Sequence, residues 1–186
     1  MIFQGKRART VVVVAGTAMA ATLGLSASPA SAKASDGWVR GYDYHIDDFN
    51  DEGTLSSSLA GHSPSNAVCL WQRILWAEGA KSDTMLPFAE AHITGYFGNG
   101  TTVATKWLQA YWHLDVDGKV GNQTFGYAHH HNFKTGGSTD RGETLYLEYR
   151  GRSHSFAMRR NTEGKYLFKD YDGDWRQAGY DYHTCG

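Results

Sequence analysis

"LDVDGKVGNQTF", Leu114 to Phe125, decides how this chain is read. Asp115-x-Asp117-Gly118 resembles the middle of a calcium-binding loop. An EF-hand loop aligned on Gly118 requires oxygen ligands at positions 113, 115 and 117 and a bidentate acid at position 124. Position 113 is His and position 124 is Thr, so the cage is incomplete. The alternative is a turn, and the chain supplies its own comparison. "TGYFGNGT" (Thr94 to Thr101) and "DGKVGNQT" (Asp117 to Thr124) share one order: Gly, two residues, Gly, two residues, Thr. Phe97 or Val120 precedes the second Gly, and Thr94 stands where Asp117 stands. The acid is not common to both copies, so no metal site is expected.

Each residue of the turn has a structural reason to be there. Gly95 and Gly118 can adopt the positive φ of a tight reversal. Gly98 and Gly121 allow close backbone approach before the next helix. Asn99 or Asn122 can cap that helix, and Thr101 or Thr124 can bond a free N–H in its first turn. The repeat extends upstream, where "WQRIL" at Trp71-Gln72 recurs as "LQAYW" at Leu108-Gln109. The side chains of Gln72 and Gln109 can therefore bond the turn backbone that each helix faces. Both copies lie between helical patterns. "SNAVCLWQRILWAEG" (65–79) places Val68, Trp71 and Leu75 on one face, widened by Leu70 and Ile74, with Ser65 or Asn66 to cap it and Gly79 to end it. "TTVATKWLQAYWHL" (101–114) repeats the pattern with Val103, Trp107, Leu108 and Tyr111. A short third helix is expected from Asn122 to about Ala128.

With these motifs in place, residues 65–128 resemble the three-helix peptidoglycan-binding domain of secreted bacterial wall proteins. The residues that carry the resemblance are Val68, Trp71-Gln72 and Leu75; Gly95, Phe97-Gly98 and Thr101; Ala104 and Leu108-Gln109; and Leu114, Asp117-Gly118, Val120-Gly121 and Thr124. Three departures stand out. Thr94 replaces an Asp, Leu108 replaces an aromatic before Gln109, and residues 79–92 ("GAKSDTMLPFAEAH") form an insertion able to reshape or cover a binding groove. The resemblance implies a wall polymer as partner, with Gln72, Gly95, Gly98, Thr101, Gln109, Gly118, Gly121 and Thr124 as the structural motif.

The flanking segments differ in character. Lys6, Arg7 and Arg9 precede an apolar run from Val11 to Leu25, and Ala30-Ser31-Ala32 supplies small residues for cleavage. Residues 1–32 therefore read as a secretory signal peptide whose apolar run of about 15 residues is too short to span a membrane, with cleavage near Ala32 or Ala34. Past the leader, 15 Lys and Arg face 19 Asp and Glu, which argues against a nucleic-acid partner. Residues 33–64 form a polar lead-in with an edge strand expected around Trp38–Tyr44. Its acidic run Asp47, Asp48, Asp51, Glu52 reads as a solvated turn. Residues 129–186 form a β-rich appendage. Leu145, Leu147 and Tyr149 alternate with polar neighbours, "HSFAMRR" and "GKYLFKDYDG" follow, and Trp175, Tyr180 and Tyr182 pack one face of the sheet. Cys69 and Cys185, an even pair in an exported chain, suggest a disulfide, with two unrelated thiols as the alternative. The expected fold is α+β: a three-helix peptidoglycan-binding-like bundle followed by a small antiparallel sheet.

The same residues bear on catalysis and on binding. His129, His130 and His131 are consecutive and read as a solvated run at the end of the last helix. His154 and His183 lack zinc-ligand spacing, and no mature Ser sits in a Gly-x-Ser-x-Gly elbow. The expectation is a secreted, cell-wall-associated, non-catalytic monomer that needs no cofactor and binds peptidoglycan. Tyr96, Tyr111, Trp112, Asp117 and Lys119 are the candidate contacts, since aromatic rings stack on sugars, while Trp71 and Trp107 are expected in the core. The rivals are an accessory wall hydrolase or peptidase using His and Asp of the appendage, and a protein-interaction module on the same fold.

Overall fold

Helix α1 (Asn66–Glu78) is covered on nearly every side, and the other elements are arranged around it. The computed structural model describes Met1 and residues 36–42, 44–58 and 60–185; the expected signal peptide lies outside the described residues. Ser65 Oγ caps α1 by accepting the Val68 N–H at 3.2 Å. At the other end Gly79 adopts φ 61°, and the N–H groups of Gly79 and Ala80 reach back to Trp76 O and Leu75 O, each at 3.0 Å. That is a Schellman closure, which satisfies the last carbonyls. The apolar stripe expected on one face understates the burial, because α2 packs on one side of α1 and the appendage on another. A helix buried all round must pair its polar groups. Asn66 bonds Gln177 O and Thr184, Arg73 pairs with Glu90, and Glu78 accepts from the Tyr149 hydroxyl.

Helix α2 (Asn99–Tyr111) buries Thr101, Ala104, Thr105, Leu108 and Gln109. The apolar face expected from Val103, Trp107 and Tyr111 is therefore rotated. Trp71 fills the space between α1 and α2 and donates its indole N–H to Thr105 Oγ1 at 2.8 Å, which draws the Ala104–Thr105 side inward. Trp107 is half-buried rather than core, lying parallel to Tyr111 at 5.6 Å. Helix α3 (Asn122–His129) follows the second turn. The appendage is an antiparallel meander, β1 (Asn132–Gly137), β2 (Leu145–Arg150), β3 (Ser155–Arg160), β4 (Tyr166–Lys169) and β5 (Trp175–Gln177), in that spatial order. Leu145, Leu147 and Tyr149 point inward as expected, opposite Arg160, Met158 and Phe156 of β3. Strand β1, "NFKTGG", shows no alternation and was not expected.

Three expectations about the flanks are corrected. The acidic run is only partly solvated. Asp48 accepts from Arg160 Nη1 at 2.8 Å and from the Tyr166 hydroxyl at 2.6 Å, while Glu52 accepts from the Tyr180 hydroxyl at 2.6 Å and the Arg40 N–H at 2.7 Å. Both carboxyls are buried because Val39, Phe49 and Leu55 carry the lead-in into the common core. The expected edge strand is reduced to single bridges, Trp38 to Gly179 and Arg40 to Lys165. The His run is likewise not uniformly solvated. His129 is 1% exposed with its ring edge-on to Phe49, His131 stacks on Tyr149, and His130 remains exposed.

Cys69 and Cys185 form a disulfide, with Cα atoms 6.5 Å apart and a sequence separation of 116. Closing so long a loop contributes roughly 4–5 kcal/mol in the chain-entropy account. The bridge anchors the end of the chain to α1, beside the first of the two repeated turns. Among the described residues, no helix is long and apolar enough to cross a membrane.

Candidate functional site

The two glutamines hold the two turns in matching ways. Gln72 Oε1 accepts the N–H groups of Thr94 and Gly95, at 2.9 and 2.8 Å. Its amide nitrogen donates to Tyr96 O and to Thr101 Oγ1, both at 2.9 Å. In the second copy Gln109 Oε1 accepts the Gly118 N–H at 2.8 Å, and Nε2 donates to Lys119 O and Thr124 Oγ1 at 2.8 and 3.1 Å. The Gly, the residue after it and the distant Thr are thus all tied to one amide. Asp117 Oδ1 joins the second set, accepting from Gln109 Nε2 and from the Lys119 N–H. Asp117 is a turn residue with one oxygen already engaged.

Gly95 and Gly118 have φ 72° and 75°. A Cβ on Gly95 would lie 2.4 Å from the His183 ring and 3.0 Å from Cys69 Sγ, so the position needs glycine for space as well as for φ. The roles expected of the other turn residues change. Gly98 has no heavy atom within 4 Å of a built Cβ, and at Gly121 the nearest is Thr54 Oγ1 at 3.6 Å, so close approach does not explain them. They are the N-cap residues of α2 and α3; Asn99 and Asn122 are the first helical residues and do not cap. Thr101 and Thr124 accept from the glutamines rather than from free backbone N–H groups.

Each turn borders a hollow. The first, about 320 Å³, is lined by Gln72, Thr94, Tyr96, Gly98, Gly100 and Thr101 from the repeat, together with Ser82, Asp83, Phe88, Ala91 and His92. The second, about 270 Å³, is lined by Gln109, Asp115, Asp117, Lys119 and the start of α3. The repeat therefore generates two equivalent hollows, and only the first is walled by the insertion. That segment folds back on itself, with Ser82 N–H donating to Leu86 O and Phe88 N–H to Ala80 O. Buried Phe88 and Ile93, with the Arg73–Glu90 ion pair at 2.8 Å, fix it against α1. The insertion builds a wall of the hollow.

The expected contact residues divide. Tyr96 is 58% exposed at the rim of the first hollow, and Asp117 and Lys119 line the second. Tyr111 is 49% exposed but stands at the end of α2, stacked with Trp107 and under the Arg152 guanidinium at 4.4 Å. Trp112 is corrected: it is 5% exposed, one helical turn beyond Leu108 on the same inward face, edge-on to Trp71 and against Tyr127. Its ring belongs to the core. Ser82, Asp83, Phe88 and His92 were missed, since the insertion has no periodicity to place it.

The appendage also reaches this site. His183 Nε2 lies 2.9 Å from Thr94 O, and because a carbonyl only accepts, the proton is on Nε2. The same ring meets Tyr96 edge-on at 5.4 Å. His154 lies elsewhere, stacked on Trp76 at 4.3 Å near the other end of α1. The two histidines named for a wall peptidase are therefore not brought together. Among the described residues, the grouping of possible metal ligands is Cys69, His183 and Cys185, whose sulfurs are joined in the disulfide.

Residues 65–126 match the family model described as "Putative peptidoglycan binding domain". This is the segment that contains both glutamine-held turns and all three helices up to the middle of α3. The helical part of the chain is thus similar to a peptidoglycan-binding domain, the likeness its repeat suggested. No curated protein and no solved structure matches the chain.

Proposed function

We propose that this protein is a secreted, non-catalytic peptidoglycan binder, and that the hollow beside the first turn is where it holds the polymer. The observation that carries the reading is the match of residues 65–126 to a peptidoglycan-binding family, combined with the hollow built by that segment's first turn. The hollow combines an exposed ring, Tyr96, with hydroxyl and carboxylate groups from Ser82, Thr94 and Asp83. A sugar presents an apolar C–H face and a polar rim, and this lining suits both. At its floor the first turn of α2 has no side-chain cap, so its N–H groups are available to a carboxylate such as those of a stem peptide. Separation of His154 from His183 supports binding without cleavage.

The test is sedimentation of residues 33–186 with insoluble peptidoglycan, alongside release of soluble fragments from dye-labelled wall. The expected result is saturable binding with no dye release. Protein remaining in the supernatant refutes the binding reading, and enzyme-dependent release favours the hydrolase.

A further inference from the structure

A third hollow, of about 320 Å³, adjoins the first and is lined by Glu90, Ala91, Ile93, Thr94 and Tyr171. Ala91 and Thr94 line both hollows, so the strip they belong to is a shared wall. Tyr171 comes from the reversal between β4 and β5, outside the segment that matches the family model. It is 55% exposed, close to the exposure of Tyr96 on the first hollow.

The turn that presents Tyr171 is held from several directions. Asp170 Oδ1 accepts the Asp174 N–H at 2.8 Å, and Asp170 Oδ2 accepts from Arg176 Nε at 2.6 Å. Lys169 Nζ donates to Gly173 O, and Gly173 supplies the positive φ of the reversal. A ring on a turn so fixed is pre-positioned, which lowers the ordering cost of using it in binding. Beside it, Ala91 and Ile93 supply an apolar floor, while Thr94 and Glu90 supply polar groups. Glu90 Oε1 is neutralised by Arg73, so the hollow does not present an unopposed acid to an acidic polymer.

Each hollow is at the small end of the roughly 300–1,000 Å³ typical of ligand sites. One has room for a sugar ring or a short peptide rather than a whole repeat unit of wall polymer. We propose that the hollow walled by Tyr171 is a second subsite for the same carbohydrate–peptide polymer, with a sugar ring laid on Tyr171 while the neighbouring unit occupies the Tyr96 hollow. The appendage then contributes directly to binding, and selectivity for polymer over an isolated unit follows from two adjoining subsites. This rests on the peptidoglycan reading proposed above.

The experiment compares wild type, Tyr171→Ala and Tyr96→Ala on two probes: insoluble peptidoglycan and a purified disaccharide-peptide monomer. Tyr171 and Tyr96 are exposed, and unchanged thermal melting verifies that each variant is folded. Tyr171→Ala is expected to weaken polymer binding roughly fivefold to tenfold, the size of one lost stacking contact, and to leave monomer binding within about twofold. Tyr96→Ala is expected to weaken both. If Tyr171→Ala binds polymer as wild type does, the second subsite is refuted while wild-type binding preserves the peptidoglycan reading. If wild type binds neither probe, both are refuted.

Discussion

A primary amide is the neutral side chain that offers two N–H donors and a carbonyl acceptor together, and each turn uses both functions of its glutamine. Glutamate in the same place would present acceptors to Tyr96 O or Lys119 O, and alanine would leave buried groups unpaired. Gln72→Ala and Gln109→Ala are each expected to cost roughly 2–4 kcal/mol, since an unsatisfied buried polar group costs about 1–3 kcal/mol. Thermal melting should show a drop of roughly 5–12 °C; a drop under about 2 °C would contradict the assigned role. These positions were legible in the sequence because the repeat exposed them. The helix caps were misassigned because Gly98-Asn99 and Gly121-Asn122 put two cap-competent residues side by side, and the backbone register decides between them. Trp112 was misassigned because its place at a helix end suggested solvent, while its spacing from Leu108 directs it inward.

Elements outside the repeated helix-and-turn pattern do more than flank it. The insertion builds one wall of the first hollow, and near the chain's end His183 bonds the turn at Thr94 O while Thr184 and Cys185 hold the tail to α1. Asn66 bonds the Thr184 N–H through its carbonyl at 2.8 Å, so α1 carries a second polar hold on the tail close to the disulfide. Replacing both Cys69 and Cys185 by Ala should lower stability by roughly 4–5 kcal/mol, because the open chain regains loop entropy. Denaturant titration reads this directly, and an unchanged midpoint would show that the tail's polar bonds suffice. An even number of cysteines in a chain read as exported suggested the pairing without showing where it lay. Strand β1 was unreadable for a different reason: glycine and exposed side chains leave it no apolar alternation, and pairing with β2 defines it.

At the scale of the whole molecule, one core joins lead-in, helices and sheet, and its buried ionisable groups make stability depend on pH. Burial pushes the Glu52 carboxyl up to about 8 despite its bonds from Tyr180 and Arg40, and pushes Asp48 up to about 6. Burial lowers His129 to about 3. A carboxyl raised in the fold contributes stability at low pH that is lost as pH rises through the folded value. A histidine lowered in the fold costs stability as pH falls below its ordinary value of 6.5. Among these three groups, Glu52 acts alone between about pH 6.5 and 8. Stability should therefore fall by about 2 kcal/mol across that window, and Glu52→Gln should flatten the decline. A wild-type melting temperature that holds or rises over the window would contradict this assignment. The burial of Asp48 and Glu52 could not be read from a run of acids, because their partners Arg160, Tyr166 and Tyr180 are over a hundred residues away.

The most direct measurement of the central claim is amide-shift mapping of residues 33–186 titrated with a soluble disaccharide-peptide. The largest shifts are expected at Thr94–Thr101 and in the insertion from Ser82 to His92, around the first hollow. Shifts confined to the far side of the sheet, or none at saturating ligand, would contradict it.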